Sequence, residues 1–189
     1  MSETQTKQPV LLVVHRKASR PGQVEAALKA KDWPTERCCI SAGDSLPENT
    51  ENIAGVVIFG GPMSANDEHL PAIKAETDWL PGLLKSGTPF FGICLGAQML
   101  ARCLGAKVSR HPQGIMEIGY YPIAPTEQAN GLFKNPMHVY HWHKEGFDLP
   151  VGAELLVEGD IFRNQAFRYG QSAYGVQFHP EIQEPIMRH

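Results

Sequence analysis

A strand with one face in water alternates apolar and polar residues, and Val10-Leu11-Leu12-Val13-Val14 does not. Apolar residues in unbroken succession predict a strand covered on both faces, as the strands of a parallel sheet are. Gly55-Val56-Val57-Ile58-Phe59 repeats the pattern, and Pro89-Phe90-Phe91-Gly92-Ile93 repeats it again, with a weaker strand at Arg37–Ile40. Between these runs the period changes to that of a helix. Gln23–Lys31 puts Val24 and Leu28 on one face and spaces Glu25 and Lys29 for an i,i+4 pair. Glu68–Lys85 sets Ile73, Leu80 and Leu84 at helical spacing, with Pro71 near its start and Pro81 expected to kink or break it. Leu95–Leu104 reads as a helix stopped by Gly105. This rhythm predicts an α/β fold, an open and mostly parallel sheet with helices on both faces.

The second half reads differently. Short strands at Lys107–Arg110, Glu117–Ala124, Val139–Trp142, Leu155–Glu158, Gln165–Tyr169 and Tyr174–His179 are separated by turn residues. They predict antiparallel additions to the same sheet, with a small edge sheet. No internal repeat or Gly/Ser-rich linker divides the chain, so one domain over residues 1–189 is expected.

Composition narrows the function. Hydrophobic residues make up 42% and charged residues 20%, an ordinary globular balance. Net charge is −3 with no basic stripe, so no nucleic-acid partner is expected. No apolar run approaches the ~20 residues of a membrane span, and Met1–Gln8 has no apolar signal core. Cys38, Cys39, Cys94 and Cys103 include no CxxC pair and suit a reducing compartment, which predicts a cytoplasmic protein.

One cysteine stands apart. Gly92-Ile93-Cys94-Leu95-Gly96 has the form G-x-C-x-G between a strand and a helix, the arrangement of the G-x-S-x-G nucleophile turn. Glycines two before and two after permit a sharp bend and close packing of the flanking elements. The bend would expose the central side chain at the C-terminal edge of the sheet, where open α/β folds bind ligands. The helix starting at Leu95 would turn its positive end toward the sulfur and offer free N–H groups to an oxyanion. The other three cysteines read as small buried hydrophobes.

A nucleophilic cysteine needs a base and a group to orient that base. Tyr174-Gly175-Val176-Gln177-Phe178-His179-Pro180-Glu181 offers both. On a strand, His179 and Glu181 would point the same way, about 6–7 Å apart, with Pro180 stiffening the pair. His138, His141 and His143 form H-x-x-H-x-H, but on a strand His138 points away from the other two. No carboxylate is evident nearby, so no metal site is expected. His15, His69, His111 and His189 read as solvated or loop residues. Gly60-Gly61-Pro62 follows a strong strand and reads either as a backbone N–H donor beside the cysteine or as a simple tight turn.

Gly60-Gly61-Pro62, Gly92–Gln98 and His179-Pro180-Glu181, in that order along nearly the whole chain, resemble the class I, triad-type glutamine amidotransferases. Trp142-His143, Phe147-Asp148-Leu149-Pro150 and Asn164-Gln165-Ala166-Phe167-Arg168 are most similar to the free-standing, GMP-synthase-like branch. The resemblance implies a flavodoxin-like fold and hydrolysis of the glutamine side-chain amide through a γ-glutamyl thioester, with no cofactor. It implies Cys94 as nucleophile, His179 as proton carrier and Glu181 as its orienter. Gly61 and Leu95 would supply the oxyanion N–H groups, and Gly60, Gln98 and His143 would border the substrate. The ammonia would pass to a separate synthetase subunit. Two departures stand out. The family's His-Gly-Asp reads His143-Lys144-Glu145, which leaves a γ-glutamyl peptide as an alternative to glutamine, and the chain ends 8 residues after Glu181, short of the usual further helix. A non-catalytic regulatory module of the same fold is the remaining alternative.

Overall fold

The computed structural model describes residues 7–182; His189 lies outside them. The expected apolar runs form strands β1 (Val10–Val13), β3 (Gly55–Ile58) and β4 (Phe90–Ile93), with β2 at Thr35–Cys38. The helices are α1 (Gly22–Lys29), α2 (Pro71–Ser86) and α3 (Leu95–Cys103). Downstream lie β5 (Val108–Arg110), β6 (Glu117–Pro125), β7 (Met137–His143), β8 (Glu145–Phe147), β9 (Ala153–Gly159), β10 (Asn164–Tyr169) and β11 (Ala173–Val176). Nine strands make one sheet in the order β2-β1-β3-β4-β11-β10-β9-β6-β7, and β5 pairs with β8 as a separate two-stranded sheet.

Both faces of β1, β3 and β4 are covered, as their composition requires. On one side Leu11, Val13, Val56 and Ile58 pack with Ile73, Leu80 and Leu83 of α2 and Leu95, Met99 and Leu100 of α3. On the other, Val10, Leu12, Val57 and Phe59 pack with Val24 and Leu28 of α1. The expected glycine packing is present. A Cβ on Gly92 would fall 2.6 Å from the Gly96 backbone, and one on Gly96 would fall 2.2 Å from the Ile58 carbonyl oxygen. So α3 lies against β3 and β4 at a distance only glycine allows.

Two expectations are corrected. The break expected as one outcome at Pro81 does not occur, and helix α2 continues through it. Pro81 and Gly82 are exposed, so the bond to the Thr77 carbonyl that Pro81 cannot donate is missing on the watered face, where its loss costs least. Strand β11 is also not a purely antiparallel addition. It inserts into the parallel core, parallel to β4 with Gly175 beside Gly92 and Val176 beside Ile93, and antiparallel to β10.

These packing distances generate a paired prediction. Gly96→Ala should destabilise by about 1–3 kcal/mol or prevent folding, because its Cβ must displace backbone. Gly82→Ala, whose Cβ would meet nothing within 4 Å, should stabilise by about 0.5–1 kcal/mol. Urea unfolding of both variants measures the contrast.

Candidate active site

Cys94 is the first residue past β4 and precedes α3. Its φ of 51° and ψ of −102° lie in a region that L-residues with a Cβ rarely adopt, a strain worth about 1–3 kcal/mol. Neighbours on both sides hold it there: its N–H donates to Val176 O at 2.8 Å, and its carbonyl accepts from Gln98 N at 3.0 Å. Leu95, Gly96 and Ala97 follow in the first turn of α3, where backbone N–H groups lack intrahelical partners. Cys94 is buried, and Gln177 Nε2 reaches its Sγ at 3.6 Å. Burial drives the thiol of Cys38 up to about 11 and raises that of Cys103, as expected of unreactive thiols.

The pair expected on β11 arrives by a different route. The strand ends at Val176, so His179 and Glu181 stand in the loop beyond it, and the alternation argument does not apply to them. They meet nonetheless, because Pro180 and two backbone bonds shape the loop. His179 N donates to Tyr140 O at 2.8 Å, and Gln23 N at the start of α1 donates to Glu181 O at 3.1 Å. The His179 Nδ1–H meets Glu181 Oε1 at 2.8 Å. Its Nε2 is buried and has no partner of hydrogen-bond geometry among the described residues. A Cβ on Gly60 would fall 2.7 Å from His179 Cε1 and 3.4 Å from Cys94 Cβ, so the ring and the cysteine flank the same glycine. Burial opposes a charge on the His179 ring, but the Cys94 and Glu181 side chains outweigh it and raise its pKa to about 10.

His15 is the clearest missed residue. It is buried, not solvated: Nδ1–H donates to the Gly60 carbonyl at 3.1 Å, and Nε2 meets Glu76 Oε2 of α2 at 3.0 Å. A Cβ on Gly61 would fall 2.8 Å from the His15 ring. The Gly60–Gly61 peptide is trans, so anchoring its carbonyl on His15 sends the Gly61 N–H out of the opposite edge. Glycine at 60 and 61 therefore makes room for two histidines, a requirement beyond that of a simple tight turn.

Cys94 opens into a cavity of about 250 Å³, lined also by Gly61, Met63, Gln98, Trp142, Lys144 and Glu145. That suits an amino-acid-sized ligand better than a large cofactor. Gln98 Nε2 is committed to Glu145 O (2.8 Å) and Gln177 Oε1 (3.2 Å). His143 borders the cavity too, with its side chain turned into the protein, where Nδ1–H donates to Glu145 O at 2.9 Å. Gly60 instead lines the recess that holds His179 and Glu181, and Leu95 is buried behind the turn. His138 is exposed and points away, as the alternation predicts, while His141 and His143 share a face. The absence of a nearby carboxylate is overturned: Glu117 lies directly opposite His143 on β6 and contacts both rings.

The sequence model of the family "Glutamine amidotransferase class-I" matches residues 22–186. The chain belongs to this family. It is 32% identical over 184 residues to the glutamine amidotransferase-like protein YfeJ of Salmonella typhimurium, covering 92% of this chain and 75% of that one. It is 31% identical over 142 residues to a glutamine-hydrolyzing GMP synthase subunit of Methanocaldococcus jannaschii, covering 71% of this chain and 68% of that one. The longer GMP synthase of Phocaeicola vulgatus is matched over only 28% of its length, at 31% identity. Among solved structures, a glutamine amidotransferase from Thermotoga maritima superposes with a TM-score of 0.89 at 34% identity, over 96% of this chain and 80% of that one. The α/β fold is thus that of the class I glutamine amidotransferases. Among the described residues no helix is long and apolar enough to cross a membrane.

The charge on His179 has a measurable signature. Its folded pKa of about 10 exceeds the ordinary 6.5. The stability it contributes is therefore complete below about pH 6.5 and lost as the pH rises through about 10. Thermal melts should show this alkaline loss in the native protein and a smaller one in Glu181→Gln.

Proposed function

We propose that this amidotransferase domain hydrolyses the γ-amide of glutamine. The observation that carries the reading is the strained Cys94 turn with the His179–Glu181 pair on the loop of the adjacent strand. The Cys94 sulfur attacks the amide carbonyl carbon, and the oxygen takes the negative charge. The Gly61 and Leu95 N–H groups stabilise that charge. His179, oriented by Glu181, gives the nitrogen its proton, the C–N bond breaks, and ammonia leaves a γ-glutamyl thioester. Water, losing a proton to the same imidazole, then attacks the thioester to release glutamate and restore the thiol.

Substrate orientation follows from charge. Lys144 and Glu145 both line the cavity and form no ion pair among the described residues. They suit the α-carboxylate and α-ammonium of one amino acid, and the Gln98 amide lies next to the same end. Kinship with a GMP synthase subunit supports release of ammonia to a separate synthetase, and the free thiols support a cytoplasmic setting. A second reading, a γ-glutamyl peptide as substrate, is favoured by the cavity's apolar rim of Met63, Met116, Ile118 and Trp142, which would seat an apolar amine.

Glutamate release from glutamine and from γ-glutamyl peptides separates the readings. Release from glutamine, increased by a synthetase, supports the first, and partner-independent release from peptides supports the second. Cys94→Ala should abolish both. Equal, negligible turnover by the native and Cys94→Ala proteins, with partners supplied, would leave the non-catalytic module.

His15 acts in this scheme through the Gly60–Gly61 peptide. His15→Ala frees that carbonyl, and kcat should fall by up to about 10²–10³-fold, the value of one oxyanion donor. KM should change little, and His15→Asn, which keeps a donor, should recover part of the loss. A matching fall in folded fraction without a kcat effect would make the residue merely structural.

A further inference from the structure

Glu117, His141 and His143 take no step in the hydrolysis above. We propose that they bind one divalent transition-metal ion of the zinc type through Glu117 Oε2, His141 Nδ1 and His143 Nε2. The atoms converge: Glu117 Oε2 stands 2.8 Å from His143 Nε2 and 3.2 Å from His141 Nδ1, and the two nitrogens are 3.2 Å apart. Ligands of a tetrahedral zinc, about 2.0–2.1 Å from the ion, stand roughly 3.3 Å from one another, so a small outward shift admits it. All three side chains are buried on paired strands, with Glu117 directly opposite His143.

Protons alone cannot satisfy this triangle. Each of its three contacts needs one hydrogen between the atoms. Glu117, as a carboxylate, only accepts and brings none. Each ring nitrogen brings at most one. If both point at the carboxylate, two donors face each other across 3.2 Å; if one turns aside, a lone pair faces a lone pair. A cation at the centre draws all three lone pairs at once.

The surroundings are those of a ligand set. His143 donates its other N–H to Glu145 O at 2.9 Å, which fixes the tautomer with Nε2 facing inward. Gln165 Nε2 donates to Glu117 Oε2 at 3.1 Å and to Phe162 O at 2.9 Å, steadying the carboxylate. His141 Nε2 has no partner among the described residues. One outer bond is therefore missing, and binding should be about 10–100-fold weaker than at a fully supported site. Two imidazoles and one carboxylate select Zn²⁺, Co²⁺ or Ni²⁺ over Mg²⁺ and Ca²⁺, and a water completes the coordination. The Glu145 carbonyl that His143 holds also holds Gln98, so the ion would stiffen the cavity wall from behind.

The test uses Cys94→Ala protein, which removes the thiolate as a rival ligand, stripped with chelator and titrated with Co²⁺ by visible absorption and with Zn²⁺ by calorimetry. One ion per chain should bind, with d–d bands and no thiolate charge-transfer band. In that background His141→Phe, which keeps a ring among Tyr121 and Phe178, should weaken binding at least about tenfold, and Gln165→Ala should weaken it less. Circular dichroism confirms that each variant is folded. No saturable binding, or equal binding by folded His141→Phe, would overturn the site. Neither readout depends on amide hydrolysis, so this proposal and the enzymatic one fail separately.

Discussion

Strand β11 returns from the far end of the chain and lies parallel to β4, with Gly175 beside Gly92 and Val176 beside Ile93. From that register the rest of the site follows. The Cys94 N–H donates to Val176 O, so the bend that strains the cysteine is held by the strand whose continuation carries His179 and Glu181. A shift of one residue would exchange the faces of β11 and remove the acceptor beneath Cys94. The C-terminal ends of β3, β4 and β11 thus bring Gly60-Gly61, Cys94 and His179 to one edge of the sheet, where open parallel sheets bind ligands.

The edge is built from close approaches rather than from many polar contacts. Gly96 lies where any side chain would meet the Ile58 carbonyl, and Gly60 and Gly61 lie where a Cβ would meet His179 and His15. Two histidine–carboxylate pairs, the buried His15–Glu76 and the partly buried His179–Glu181, flank the Gly60–Gly61 peptide. One holds its carbonyl and the other holds the imidazole beside the cysteine. Such pairs are costly to bury alone and are kept where they fix geometry.

Much of this was legible in the sequence, for local reasons. β1, β3 and β4 declared themselves by unbroken apolar runs, and the Cys94 turn by its two glycines, because both are dictated by near neighbours in the chain. What escaped depends on partners far along it. The burial of His15 in its loop is not legible in the sequence, because Glu76 and Gly60, which contact it, lie 61 and 45 positions away. Glu117 went unpaired with His143 because the register of β6 on β7 is a tertiary fact. β8 is too short to show a period, and nothing local in the sequence marks Gln177, which reaches the sulfur. Strand alternation does not bring His179 and Glu181 together, since they stand in a loop; their adjacency to Pro180 and the apolar strand is the local signal that marks them.

The central claim is that Cys94, alone among four free thiols, is the group that attacks a γ-glutamyl carbonyl. A glutamine analogue bearing an electrophile at its γ-carbon, incubated with the protein and followed by peptide mass spectrometry, tests it most directly. One label per chain on the peptide holding Cys94, with labelling slowed by excess glutamine and nearly lost in His179→Asn, is the predicted result. Labelling spread over Cys38, Cys39 and Cys103, or labelling of Cys94 indifferent to glutamine and to His179, would contradict it.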